Sequence, residues 1–199
     1  TYLAAQPMGA YSNSQGIKTV REEIAAFIAA RDNTPPPDPD SIFLTNGASE
    51  GVRYGLQSLL RPRLAGYNDG VLVPIPQYPL YSALTTLLNG ELVPYYLRED
   101  EGWTLQASDL RTALEKARSK GIVVRGLVVI NPGNPTGQLL TRGNMEEIIT
   151  LCVEENLVLM ADEVYQTNVY VDDREFVSFR KVAVEMGFDS QGEGGREGG

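Results

Sequence analysis

Two stretches decide the fold. Val123-Val124-Arg125-Gly126-Leu127-Val128-Val129-Ile130 runs into Asn131-Pro132-Gly133-Asn134-Pro135-Thr136-Gly137, and Leu157-Val158-Leu159-Met160-Ala161 runs into Asp162-Glu163-Val164-Tyr165. Short β-branched runs bounded by turn residues read as strands buried on both faces, and the amphipathic segment at 142–155 reads as a crossover helix. Together they form a βαβ unit. Its strands are parallel, so Asn134 and Asp162 are expected at the same carboxyl edge of one sheet, where open α/β sheets place their ligands.

Upstream, residues 105–120 carry Leu110, Leu114 and Ala117 at helical spacing, 90–97 reads as a strand and 81–88 as a helix. Val71-Leu72-Val73-Pro74-Ile75 is a further strand whose proline favours an edge or terminal position, and it leads into Pro76-Gln77-Tyr78-Pro79. A helix at 49–60, with Val52, Leu56, Leu59 and Leu60 in period, follows the Gly-rich turn Asn46-Gly47-Ala48-Ser49-Glu50-Gly51. That turn ends a short buried strand, Ile42-Phe43-Leu44-Thr45. Four prolines at 32–40 stop an amphipathic helix at 17–31 that carries Val20, Ile24, Phe27 and Ile28. Downstream, 176–186 reads as one more helix, and the Gly/Glu-rich composition of 189–199 predicts a disordered tail. The expected organisation is an N-terminal segment at 1–16, part of a large α/β domain at 17–188 and the tail at 189–199. The fold class is α/β, a three-layer αβα arrangement around a mostly parallel sheet.

With 199 residues and 42% apolar composition, the chain fits one sizeable domain, or one plus a fragment of a second. A net charge of -9 argues against nucleic acid or an anionic membrane surface as partner. The single cysteine, Cys152, excludes a disulfide framework, fits a reducing compartment and reads as a small core residue. The lack of histidine excludes His-based triads and His metal sites. No apolar run reaches the ~18 residues of a membrane span. A start at Thr1 reads as a missing N-terminal portion, with any targeting signal lost alongside it; a soluble intracellular location is the expectation.

The four strand-like runs end in the turn at 46–51, in Tyr78, in Asn134, and in Asp162 with Tyr165, groups that converge if the strands are parallel. A Gly-rich turn entering a helix offers free N–H groups to a phosphate, and Ser49 adds a hydroxyl. A tyrosine can cover a flat ring, and asparagine and tyrosine can both donate to a phenolic oxygen. An acid at a buried strand end needs a cation, which a protonated ring nitrogen would be. Phosphate, flat ring, phenolate and pyridinium together describe pyridoxal 5'-phosphate. Each feature taken alone reads as ordinary structure: a turn, a packing tyrosine, a helix-capping aspartate. Their joint order along the chain carries the inference.

The chain resembles the class I and II, fold type I pyridoxal-phosphate aminotransferases and, within them, the alanine aminotransferases. The residues that carry the resemblance are Tyr11-Ser12-Asn13-Ser14-Gln15-Gly16 with Val20-Arg21-Glu22, Phe43 through Gly51, Pro74 through Tyr81, Asn131 through Gly137, and Ala161-Asp162-Glu163-Val164-Tyr165-Gln166. The match runs over 11–187. It implies an incomplete large domain in which Ala48 and Ser49 bind the cofactor phosphate, Tyr78 stacks on the ring, Asn134 and Tyr165 contact the phenolic oxygen and Asp162 holds the ring nitrogen. It further implies a homodimer that moves the amino group of L-alanine to 2-oxoglutarate, giving pyruvate and L-glutamate. Glutamate:glyoxylate aminotransferase is the near alternative.

Members of that family also carry, beyond the Asp-x-x-Tyr strand, a lysine that forms a Schiff base with the cofactor. The lysines here are Lys18, Lys116, Lys120 and Lys181, none in the serine-flanked turn the family uses, and Lys181 reads as the exposed face of a helix. No residue of this chain is therefore assigned as catalytic. Two readings follow. The chain is a truncated aminotransferase, or it is a lysine-free binding or interaction domain that holds pyridoxal phosphate noncovalently.

Overall fold

A computed structural model describes residues 13–170 and 174–188. Tyr11, Ser12 and the 189–199 tail lie outside the described residues, and so does the expected disorder of that tail. The chain divides into two compact units, Gly47–Phe179 in one and Thr1–Asn46 with Arg180–Gly199 in the other.

The first unit holds four strands, β1 (Asp69–Ile75), β2 (Glu91–Tyr96), β3 (Val123–Ile130) and β4 (Val158–Asp162), in the order β2-β1-β3-β4. Every neighbouring pair is parallel. The helices of the chain are α1 (Lys18–Asp32), α2 (Ala48–Leu59), α3 (Leu80–Leu87), α4 (Ala107–Ser119), α5 (Arg142–Glu154) and α6 (Phe179–Glu185). The chain steps from β1 outward to β2 and back across to β3, so right-handed crossovers put α3 and α4 on opposite faces. On one face Leu56 and Leu60 from α2 and its cap, with Tyr81 of α3, pack on Val71, Val73, Val128 and Ile130. The alternate residues Leu72, Leu127 and Val129 point the other way and are equally buried, as are Leu110, Leu114, Ala117, Ile148 and Cys152 of α4 and α5. This is the expected three-layer αβα arrangement. Burial pushes the Cys152 thiol up to about 12, in keeping with a core residue.

Four expectations are corrected. Pro74 lies on an inner strand rather than an edge one, while the terminal half of the expectation holds, since it is the penultimate residue of β1, where the sheet needs no N–H. Ile75 turns its carbonyl toward β2, accepting from Leu97, so Pro74 faces β3 beyond the last β1–β3 pair, Leu72 with Leu127. The run Ile42-Phe43-Leu44-Thr45 forms no strand. Its Leu44 N–H bonds to the Gln15 carbonyl instead, and Phe43 is 66% exposed. Strand β4 is not buried on both faces: it is an edge strand among the described residues, and along it Val158 is exposed while Leu159 and Met160 are only half-buried. In α1 the apolar stripe is not the buried face: Phe27 is 57% exposed while Arg21 is buried. The Arg21 guanidinium donates to the Gly16 and Pro39 carbonyls and to Asp40 at 3.3, 2.5 and 2.9 Å, so loop acceptors rather than hydrophobic periodicity choose that face.

At the amino-terminal edge of the sheet, Asp69 is 1% exposed at its side chain and is clamped by two arginines. Arg61 donates to its two oxygens at 2.7 and 2.8 Å and also through its backbone N–H at 3.0 Å; Arg125 adds a bond at 3.1 Å. The Arg61 guanidinium holds the Asp69 carboxyl well below the usual carboxylate range, against the opposing effect of burial.

Candidate functional site

The opening βαβ unit places its polar ends as the sequence predicts. Ile130 pairs with Asp162, and the next residue, Asn131, donates its N–H to the Asp162 carbonyl at 2.9 Å. Asn131 Oδ1 accepts from the Leu140 N–H at 3.0 Å, which pins the loop that carries Asn134. Asn134 Nδ2 lies 3.4 Å from the Tyr165 hydroxyl, so these two donors stand side by side at the carboxyl edge.

Asp162 accepts at Oδ1 from the Val164 N–H, 3.2 Å away, and at Oδ2 from the Tyr81 hydroxyl, 2.5 Å away. Both donors are neutral, and no cation pairs with Asp162 among the described residues. Burial, followed by the bond to Asp162, raises the Tyr81 pKa far above its ordinary value, so the proton stays on the tyrosine.

Asp162 and Tyr81 border a cavity of about 420 Å³ that Ala48, Val52 and Met160 also line. Ala48 opens α2 behind Gly47, whose φ of 85° is one that only glycine adopts without strain. As at any helix start, the first backbone N–H groups, those of Ala48 and Ser49, have no intrahelical acceptor, and the N-cap Gly47 has no side chain to supply one. Free N–H groups at the positive end of a helix form an anion site.

The structure therefore brings Ala48 and Asp162 onto one cavity and pairs Asn134 with Tyr165. Ser49 neighbours Ala48 but is not part of the lining. Tyr78 is 51% exposed just ahead of α3 and has no hydrogen bond to the other candidates. Lys181 lies in α6, half-buried rather than exposed, and none of the four lysines lines this cavity. Tyr81 escaped the sequence reading. A hydroxyl on the buried side of a short apolar helix, one turn after Tyr78, needs an acceptor, and that was its signal. Among the described residues no group of three or more acidic or cysteine side chains could hold a metal ion, and no helix is long and apolar enough to cross a membrane.

A parallel αβα layer structure with a Gly-preceded helix start and an acid met only by neutral donors at the strand ends has the layout of the α/β class. Comparison with known proteins is consistent with that class and narrows it. The model of the family "Aminotransferase class I and II" matches residues 2–187, and the chain belongs to this family. It is 57% identical over 187 residues to alanine aminotransferase 2, mitochondrial, of Arabidopsis thaliana, covering 94% of this chain and 34% of that protein. It is 54% identical over 185 residues to glutamate–glyoxylate aminotransferase 2 of the same plant, covering 93% and 37%. Among solved structures, the alanine aminotransferase from Pyrococcus furiosus superposes with a TM-score of 0.74 at 28% identity, over 88% of this chain and 41% of that one. The chain thus spans little more than a third of the length of the curated relatives it matches.

Proposed function

We propose that this chain supplies the noncovalent part of a pyridoxal-phosphate site, and that the whole protein is an aminotransferase that moves the amino group of L-alanine to 2-oxoglutarate, giving pyruvate and L-glutamate. The observation that carries the cofactor reading is Asp162: an acid at the ligand edge of the sheet, met only by neutral donors, on the same cavity as Ala48 at the amino end of α2. The donor set fits the cofactor. Ala48 and Ser49 would bind the phosphate through backbone N–H groups and the Ser49 hydroxyl. Asn134 and Tyr165 would donate to the phenolic oxygen, Tyr78 would cover a ring face, and Asp162 would accept the ring N–H. When bound, the cofactor supplies a ring that accepts electrons from the substrate Cα. The protein's part is to keep that ring oriented and its nitrogen protonated.

The 57% identity to an alanine aminotransferase supports alanine as amino donor. The 54% identity to a glutamate–glyoxylate enzyme supports a second reading, with glyoxylate as acceptor. A homodimer is proposed for the whole protein on the family resemblance.

Titration of the chain with pyridoxal phosphate and with pyridoxal, followed by Trp103 fluorescence and cofactor absorbance, tests the cofactor reading. Saturable binding of the phosphate ester, at least about tenfold tighter than pyridoxal, is expected from the loss of one charge-assisted phosphate contact. Borohydride should fix no adduct. Equal binding of both compounds, or a stoichiometric adduct on Lys181, would overturn the assignment. Turnover of alanine with 2-oxoglutarate and of glutamate with glyoxylate, assayed on the whole protein, separates the two substrate readings.

A further inference from the structure

The geometry points to Tyr81 as the residue that positions Asp162 for a pyridinium ligand, acting through the carboxylate rather than by touching the cofactor's reacting atoms; this rests on the assignment of Asp162 to the ring nitrogen. Three observations converge on it. The Tyr81 side chain is 1% exposed, anchored in the core layer of Leu56, Val71, Val73 and Val128, so its hydroxyl is held by packing and not by chance. That hydroxyl donates to Asp162 Oδ2 at 2.5 Å, while the Val164 N–H occupies Oδ1. Both residues border the cavity that receives Ala48.

The two donors come from different places. Val164 follows Asp162 in its own turn and moves with it. Tyr81 belongs to α3, the connection between β1 and β2, and ties the end of β4 to a separate rigid element. With a bond to each oxygen the carboxylate plane is fixed, and each oxygen keeps one lone pair for a further donor. A ring N–H therefore meets a carboxylate whose direction is already set, so less rotational freedom is lost on binding. Because the proton stays on the tyrosine, Tyr81 remains a donor throughout the working pH range and does not act as a base.

Tyr81→Phe removes a single oxygen and keeps the ring that packs the core. The affinity of this variant and of the unmodified chain is measured for two probes, pyridoxal phosphate and its carbocyclic analogue in which the ring nitrogen is replaced by C–H. Tyr81→Phe is expected to weaken pyridoxal phosphate about tenfold and to leave the analogue unchanged; in an Asp162→Asn background the same substitution should have no effect on either. A role limited to packing would weaken both probes equally, or neither, and would overturn the proposal. Should the unmodified chain itself bind both probes alike, the assignment of Asp162 to the ring nitrogen fails, and this inference with it. A measurement that needs no change at Tyr81 stands beside these: the unmodified chain should show a hydroxyl proton protected from exchange with water that disappears in Asp162→Ala. Its persistence there would contradict the bond from which Tyr81 is argued to act.

Discussion

The two ends of one sheet treat an aspartate in opposite ways. At the amino-terminal edge, Asp69 is buried and met by two guanidinium groups, and its charge is matched within the chain. At the carboxyl edge, Asp162 meets a tyrosine hydroxyl and a backbone N–H, and its charge is left for something else to match. Burying charge is tolerable where a counter-charge is built in. Asp162 is half-buried, so water can solvate its charge at little cost to the fold while leaving it available to a ligand of the opposite sign. The first aspartate belongs to the fold and the second to the site.

Substitution at the two positions should separate these roles, and Asp162 carries the largest effect. Asp162→Asn is expected to weaken pyridoxal phosphate about a hundredfold, the equivalent of roughly 3 kcal/mol for a lost charge-assisted bond, while leaving the urea unfolding midpoint unchanged or raised. A drop in stability with intact binding would reverse the comparison.

Asp69→Asn is expected to do the opposite, lowering unfolding free energy by about 2–3 kcal/mol with no change in cofactor affinity. Its pH signature follows from the sign of the shift. The folded-state value lies below the unfolded one, so the stabilisation is full above about pH 4 and is lost as pH falls through the folded value. Urea titrations between neutral and strongly acidic pH should show the unmodified chain losing more stability than Asp69→Asn.

Gly126 lets the two strands of the opening unit approach. A Cβ there would sit 3.0 Å from the Val158 carbonyl oxygen, a backbone atom that cannot rotate away. Gly126→Ala is therefore expected to cost about 1–3 kcal/mol by forcing β3 and β4 apart, read as a lower urea midpoint. The smallest effect concerns Cys152. Its buried thiol, pushed up to about 12, should react with an aromatic disulfide reagent at neutral pH only as fast as the chain opens, and rapidly once unfolded.

The parts of the fold that are periodic were legible in the sequence: the strands β1 to β4, the helices between them and the shared edge of Asn134 and Asp162 all follow from short β-branched runs alternating with amphipathic segments. What escaped the reading depends on bonds between distant residues. Nothing local in Ile42-Phe43-Leu44-Thr45 distinguishes a strand from an extended segment that bonds once to Gln15. The buried face of α1 is set by the acceptors that Arg21 finds at Gly16, Pro39 and Asp40, and periodicity contains no information about them. Pro74 shows a rule meeting its exception, since the proline penalty depends on which neighbour the missing N–H would face. At the site, residue chemistry singled out Asp162 as an acid in need of a cation. It could not single out Tyr81, 81 positions away in the chain, whose contact exists only once α3 packs against the sheet that ends in β4.

Nitrogen-15 magnetic resonance of the chain loaded with ring-labelled pyridoxal phosphate tests the contrast between the two aspartates most directly. If Asp162 awaits a cationic ring, the bound cofactor should show a protonated ring nitrogen at pH 8 in the unmodified chain and in Asp69→Asn, and an unprotonated one in Asp162→Asn. An unprotonated nitrogen in the unmodified chain, or a protonated one that survives Asp162→Asn, would contradict it.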